Sequence, residues 1–424
     1  MTARRGSTLA LLTTASLAQT VGSALSAVLA SSLLGPHDRG LMVIGITSAT
    51  LAGLVAGMGT GSSLRSRLPR VTAPAARERL LATYTWWSVL AALGAGAVAA
   101  ALCLGCAPFI DAGLSAPRFL VAAVVVAVGY AALTQMPDAW YAAGGFRAGG
   151  SWAAVMAGGG LLGVVLGALV DRSADVLLLG QGLGMVLAAA GQSIHLGRVG
   201  LVSLRAPVLP ELTYLLRSGT KALGLTVGLT LALRADRYLL GAAAGAAAVG
   251  IYSLAATLSE TIRMVPAALG QLVSREVALG RGHVRLRRDV PLAVAAAAGI
   301  GLLVAAGGWL FITPVFGAGF SPARPLLLIL LLAEILFAPY AVASRGILGG
   351  GWMGTAGSIG LLGGIGAIAL YGVAVPLWGM YGTAAASALC YAGLSLATCL
   401  LLRRHLTSLP LPQADPDRRT AARV

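Results

Sequence analysis

The chain has 424 residues, 58% of them hydrophobic and 10% charged, with a formal net charge of +16 and a mean hydropathy of +0.87. A soluble domain carries about a quarter charged residues, so this composition excludes a soluble enzyme, a secreted disulfide scaffold and a disordered chain, and leaves a polytopic membrane protein. The cations lie in the gaps between apolar runs, which points to positive residues held on the cytoplasmic side and not to nucleic-acid binding.

About twelve apolar segments are long enough to cross ~30 Å of hydrocarbon. They lie near residues 8–34, 41–63, 80–106, 119–143, 152–171, 175–197, 212–234, 248–274, 289–313, 323–345, 354–375 and 379–402. The first follows Arg4 and Arg5 and runs to about 27 residues, well beyond a secretory core of about 7 to 15, so it reads as an uncleaved spanning helix. With both termini cytoplasmic, the two densest arginine clusters, Arg65 to Arg79 and Arg275 to Arg288, fall on the cytoplasmic side. Arg39, Arg118, Arg172, Arg234, Arg237 and Arg324 then fall outside. No loop is long enough for a soluble domain.

The chain also looks duplicated. Gly40 and Gly250 each open a helix after a Leu-Leu-Gly, Thr47 matches Thr257, and Arg65 matches Arg275. Pro137-Asp-Ala-Trp-Tyr echoes Pro339-Tyr-Ala-Val-Ala. Six crossings per half make the repeats parallel, related by an axis along the membrane normal. The expected fold is therefore an all-α polytopic membrane protein of about twelve helices, in two six-helix lobes with pseudo-two-fold symmetry. The lobes are expected at residues 1–205 and 206–405, with a disordered cytoplasmic tail at 406–424.

An ionisable side chain at mid-bilayer costs ~2.5 to 3.5 kcal/mol on the insertion scale, so it faces protein or a wet cavity. Asp138 follows Pro137 near the cytoplasmic end of helix 4. On helix 7, Arg217 and Lys221 are four residues apart; they either snorkel to the headgroups or form a cationic wall. Arg234, Asp236 and Arg237 are expected at the outer interface. Glu260 and Arg263 on helix 8 read either as a self-neutralising pair or as cavity lining, with Ser253 and Thr257 extending the same face. Glu334 on helix 10 reads as an ion site or as the partner of an arginine on another helix. Glu260, Glu334 and Asp138 are thus ion-coupling or pairing candidates, while Pro137, Pro266 and Pro339 should kink their helices.

The sequence has no phosphate-binding Gly-Lys-Ser/Thr loop, no His-Glu-x-x-His and no Gly-x-Ser-x-Gly. His37, His195, His283 and His405 form no metal cluster, and Cys103, Cys106, Cys390 and Cys399 read as small hydrophobes. No catalytic residue, metal or cofactor is expected.

Leu33-Leu-Gly-Pro-His-Asp-Arg-Gly40 resembles the Leu-Gly-Pro-x-x-Arg-Gly signature of bacterial polysaccharide (oligosaccharide-lipid) flippases, in the multidrug/oligosaccharidyl-lipid/polysaccharide exporter superfamily. Arg234-Ala-Asp-Arg-Tyr-Leu-Leu-Gly241 and Val249-Gly-Ile-Tyr-Ser-Leu-Ala255 are similar to its Asp-x-x-Leu-Leu-Gly and Val-Gly-x-Tyr-x-x-Ala elements, and Pro376-Leu-Trp-Gly-Met-Tyr-Gly to a later one. Gly35, Arg39, Gly40, Asp236, Gly241, Gly250 and Tyr252 are the matching residues. The resemblance implies a transporter, not an enzyme, that moves undecaprenyl-pyrophosphate-linked oligosaccharide from the cytoplasmic to the outer leaflet of the bacterial inner membrane. Its implied partners are the lipid-linked oligosaccharide, membrane lipids, and a polysaccharide polymerase and glycosyltransferases. The resemblance also implies a central cavity between the two lobes; such cavities are often cationic, and Arg217, Lys221 and Arg263 are candidates here, while the first helix offers only Gln19. A multidrug-type cation antiporter and a membrane-embedded glycosyltransferase or polymerase are the competing expectations.

Overall fold

The computed structural model describes residues 21–278 and 282–407. Gln19 and nearly all of the tail expected at 406–424 lie outside the described residues. Every regular element among the described residues is helical: α1 (Val21–Leu33), α2 (Pro36–Gly57), α3 (Thr60–Arg67), α4 (Pro74–Cys106), α5 (Pro117–Ala142), α6 (Phe146–Val170), α7 (Ala174–Arg198), α8 (Leu209–Glu260), α9 (Met264–Ala278), α10 (Gly282–Phe316), α11 (Ala323–Gly349) and α12 (Met353–Thr407), with short 3-10 turns between.

Nine of these stretches are long and apolar enough to cross a membrane, and two of them, Thr226–Ser274 and Gly354–Thr407, are far too long for one crossing. At 1.5 Å per residue the second would span about 80 Å, against a hydrocarbon core of ~30 Å. Each is broken by one glycine outside helical geometry: Gly245 (φ 77°) in α8 and Gly379 (φ 55°) in α12. A side chain is strained at such φ, so glycine makes the turn. Counting both stretches twice gives eleven crossings among the described residues, joined by the shorter apolar helix α1, and together they form two lobes.

This corrects one expectation. The segment after residue 234 is not a loop at the interface; the helix continues through Arg234, Asp236 and Arg237 and turns at Gly245. The run Arg234-Ala-Asp-Arg-Tyr-Leu-Leu contains no helix breaker, so nothing ends the helix before the glycines.

The two halves meet at a crossing near one end of α2. A Cβ on Gly40 would lie 1.8 Å from the Ala246 carbonyl oxygen, and a Cβ on Gly250 would lie 1.9 Å from that of Pro36. Both pairs of equivalent residues are 210 apart in sequence. Contact between i and j together with contact between their duplicates is the mark of a two-fold relation. Toward the arginine-rich end, α3 packs on the start of α8: Ser63 Oγ donates to the Leu215 carbonyl at 2.9 Å, and Arg67 pairs with Glu211 at 2.8 Å. Matching Trp–His contacts sit near that end in each half, Trp152 with His195 and Trp352 with His405.

Candidate functional site

Between the lobes lies a cavity of about 530 Å³. Its walls come from α1 (Ser23, Ser26), α2 (Arg39, Thr47), α5 (Tyr130), α7 (Gln181), the first half of α8 (Arg234, Arg237), the second half (Ser253, Thr257, Glu260) and the turn into α9 (Arg263). Four arginines thus reach one space among spanning helices.

The charges on α8 to α11 are knitted together. Glu260 receives Arg234 at 3.3 Å and Arg237 at 3.5 Å. Arg263 does not pair with Glu260, three residues away; it forks onto both carboxylate oxygens of Glu334 on α11. A planar guanidinium matches a carboxylate in this two-point geometry. Its carbon also lies 4.7 Å from the centroid of Phe337, and its Nη2 donates to the Tyr391 hydroxyl at 3.3 Å. Asp236 accepts from the Tyr252 hydroxyl at 2.8 Å and from the Arg237 backbone N–H at 2.8 Å.

Local backbone positions these groups. Pro266 has no N–H to give the carbonyl of Ile262, so the helix tightens into a 3-10 turn over Thr261–Arg263. That turn re-aims Arg263 toward α11 and leaves Glu260 facing α8. On α11, Pro339 breaks the ladder and Ser395 repairs it: Ser395 Oγ accepts from the Tyr340 N–H at 3.1 Å and donates to the Leu336 carbonyl at 2.6 Å.

Arg39 is different. It is 2% exposed, and its Nε and Nη1 have no hydrogen-bond partner among the described residues. Gln181, 6% exposed on α7, has an Oε1 without a partner among the described residues. Both line the cavity.

The 210-residue register shows an asymmetry between the lobes. Arg234 and Arg237 are matched by Ala24 and Ala27, while Thr257 is matched by Thr47. All six line the cavity. One lobe has charges where its duplicate has methyl groups.

Of the residues singled out from sequence, Arg263 and Glu260 face the cavity and Glu334 lies behind Arg263. Arg217 is exposed on α8 and does not line this cavity, and the side chain of Lys221 lies outside what is described. Asp138 is held at the arginine-rich end by Arg65 at 3.3 Å. Sequence placed Arg234, Asp236 and Arg237 at an interface, yet Asp236 is 3% and Arg237 4% exposed. Arg39, read from sequence as an outer residue, also belongs to the cavity. The helical continuity of 234–244 and the step from Gly40 at the crossing to Arg39 beside it are the signals that locate them. Of the motif residues, Gly35 caps α2, Gly40 and Gly250 form the crossing, and Gly241 leaves room for Ile110, whose Cδ1 would be 2.9 Å from a Cβ there.

No protein-family model matches the sequence, and no curated protein matches it. Solved structures do match. The chain is similar to the lipid II flippase MurJ in an inward closed conformation, with TM-score 0.73 and 12% identity over 94% of this chain and 93% of that one. It is similar to an inward-facing multidrug resistance MATE family transporter of the MOP superfamily, with TM-score 0.70 and 14% identity over 93% and 96%. The outward-facing form of such a transporter gives TM-score 0.55 at 14% identity over 94% and 98%. At these identities the likeness is one of architecture: the chain shares its overall helical fold with these solved transporter and flippase structures.

Proposed function

We propose that this chain is a flippase, moving a polyprenyl-pyrophosphate-linked oligosaccharide from the cytoplasmic to the outer leaflet by alternating access, for cell-surface polysaccharide biosynthesis. The observation that carries this reading is the cavity between the lobes, where Arg39, Arg234, Arg237 and Arg263 are sequestered among membrane-spanning helices. Moving a pyrophosphate from water into oil is prohibitive without partners, and guanidinium groups supply charge-assisted hydrogen bonds. The polyprenyl tail stays in lipid. The arginine-rich end faces the cytoplasm on this reading, and the Gly40–Gly250 crossing is the outer contact that parts for release.

With the cytoplasm negative, each negative charge moved outward gains ~2.3 kcal/mol per 100 mV, so two charges gain about 4.6 kcal/mol. The membrane potential therefore suffices as a driving force. A multidrug-type cation antiporter is the second reading, favoured by the carboxylates Asp236, Glu260 and Glu334; each of them is already engaged, by Tyr252 or by arginines.

Deleting the chain and following lipid-linked intermediates tests the proposal. Undecaprenyl-linked glycan accumulating on the inner face is the expected result. Unchanged glycan with altered sensitivity to cationic drugs overturns it in favour of the antiporter.

A further inference from the structure

The cavity's polar groups are not equally engaged. Arg234 and Arg237 have Glu260, and Arg263 has Glu334. Asp236 is held by Tyr252 and by the backbone of Arg237. Arg39 sits across from this network on α2, and among the described residues no carboxylate pairs with it and two of its nitrogens have no acceptor. The four arginines of the cavity stand against the three carboxylates Asp236, Glu260 and Glu334, and the positive charge left over is at Arg39. Keeping a guanidinium buried and uncompensated is costly. The charge is tolerable where a ligand anion completes it.

A second group points into the same space. Among the described residues Gln181 Oε1 is a buried acceptor without a donor, and Tyr130 from α5, whose hydroxyl interacts with the Gln181 side chain, lines the wall beside it. Unused donors on Arg39 call for acceptor oxygens carrying negative charge; an unused acceptor on Gln181 calls for a hydroxyl or amide proton. One ligand class supplies both from adjacent atoms: a glycosyl phosphate, whose phosphoryl oxygens accept and whose sugar hydroxyls donate.

We propose that Arg39 and Gln181 form a glycosyl-phosphate subsite on the lobe opposite the ion-paired arginines, Arg39 taking a phosphoryl group and Gln181 a hydroxyl of the sugar next to it. This rests on the flippase reading and sharpens it, because it assigns anion recognition to Arg39 and not to the more numerous arginines of α8 and the turn into α9. The subsite lies immediately beneath the Gly40–Gly250 crossing, since Arg39 and Gly40 are consecutive in α2. A phosphate bound there bears directly on the contact that must open.

The test uses the full chain purified in detergent, with glucose 1-phosphate, inorganic phosphate and glucose as probes, and binding read by equilibrium dialysis. Wild type is expected to bind glucose 1-phosphate more tightly than either fragment. Arg39→Gln is expected to weaken glucose 1-phosphate and phosphate at least tenfold, the size of a lost charged hydrogen bond, and Arg39→Lys by less. Gln181→Leu is expected to erase the advantage of glucose 1-phosphate over phosphate while leaving phosphate unchanged; this arm stands alone should Arg39→Gln not fold. Undiminished binding in Arg39→Gln, or equal losses for both probes in Gln181→Leu, overturns the subsite. Cells carrying Arg39→Gln separate the two claims. Normal glycan export with unchanged binding in that variant sinks the subsite and leaves the flippase standing; Arg39-dependent binding in a chain whose deletion leaves lipid-linked glycans unchanged supports the subsite and sinks the flippase.

Discussion

Gly40 and Gly250 occupy each other's shadow: the carbonyl of Ala246 fills the place of a side chain on Gly40, and the carbonyl of Pro36 fills it on Gly250. The two glycines are duplicates, so the pseudo-two-fold axis runs through their contact. Two backbones this close leave no room for even a methyl group, and on the flippase reading they seal the cavity at the end away from the arginine-rich loops.

Gly250→Val is therefore expected to disfavour the sealed form. Overpacking costs about 1–3 kcal/mol, and the penalty falls on the conformer in which the helices touch, so the population shifts toward opening by about fivefold or more. In a background without native cysteines, a thiol introduced by Ser253→Cys should react several times faster with an impermeant maleimide from outside the cell when Gly250→Val is also present. Labelling that does not change would show that this crossing is no gate.

Arg263 and Glu334 form the pair whose loss should be felt most. Glu334 is 4% exposed, and removing one partner of a buried ion pair costs about 3–5 kcal/mol because the other charge is stranded. Glu334→Gln and Arg263→Gln should each lower the unfolding temperature in detergent by several degrees. The double variant should be more stable than the sum of the single losses implies, giving a coupling energy of about 1 kcal/mol or more. Additive losses would mean that the pair does not act as a unit.

The helix pattern and the duplication were legible in the sequence because both are written in apolar run length and in glycine position, which one chain displays by itself. The order of the crossings, the break near Gly379 and the equivalence of Gly40 with Gly250 follow from that pattern, whereas the break at Gly245 comes well after residue 234, where the apolar run ends. The charge partners were not. Helical spacing suggested Glu260 with Arg263, but the 3-10 turn before Pro266 sends them to different helices, Glu260 to the arginines of α8 and Arg263 to Glu334. Arg234 and Arg237 looked like interface residues because charges ordinarily end an apolar run. Here they sit within a helix whose turn comes later, and their burial depends on Glu260 arriving from the next crossing, a contact that no local periodicity encodes.

Ser395 gives a test of the repaired kink. Its hydroxyl replaces the hydrogen bond that Tyr340 would otherwise make along α11, so Ser395→Ala leaves a buried N–H and a carbonyl unsatisfied. A cost of about 1–3 kcal/mol is expected, seen as a lower unfolding temperature. Adding Pro339→Ala should recover part of it, since the helix can then close its own ladder. Recovery would establish that Ser395 acts by bridging the kink, and equal instability in the two variants would show that it only fills space.

Glu260→Gln separates the two transport readings. The amide keeps the size of the side chain and can still accept from Arg234 or Arg237, but it removes the charge that offsets both of them at 3.3 and 3.5 Å. A passage for an anionic headgroup becomes more positive, so lipid-linked glycan should still cross, and pyrophosphate should bind several-fold more tightly, in keeping with charge interactions of about 1–4 kcal/mol at such separations. An antiporter that needs this carboxylate for a proton or a sodium ion should instead lose transport. Glycan export in cells whose own copy is deleted, normalised to the amount of variant protein in the membrane, reads the difference directly: export at or above the wild-type rate excludes coupling through Glu260, and its abolition with normal protein levels excludes flipping driven by the membrane potential alone.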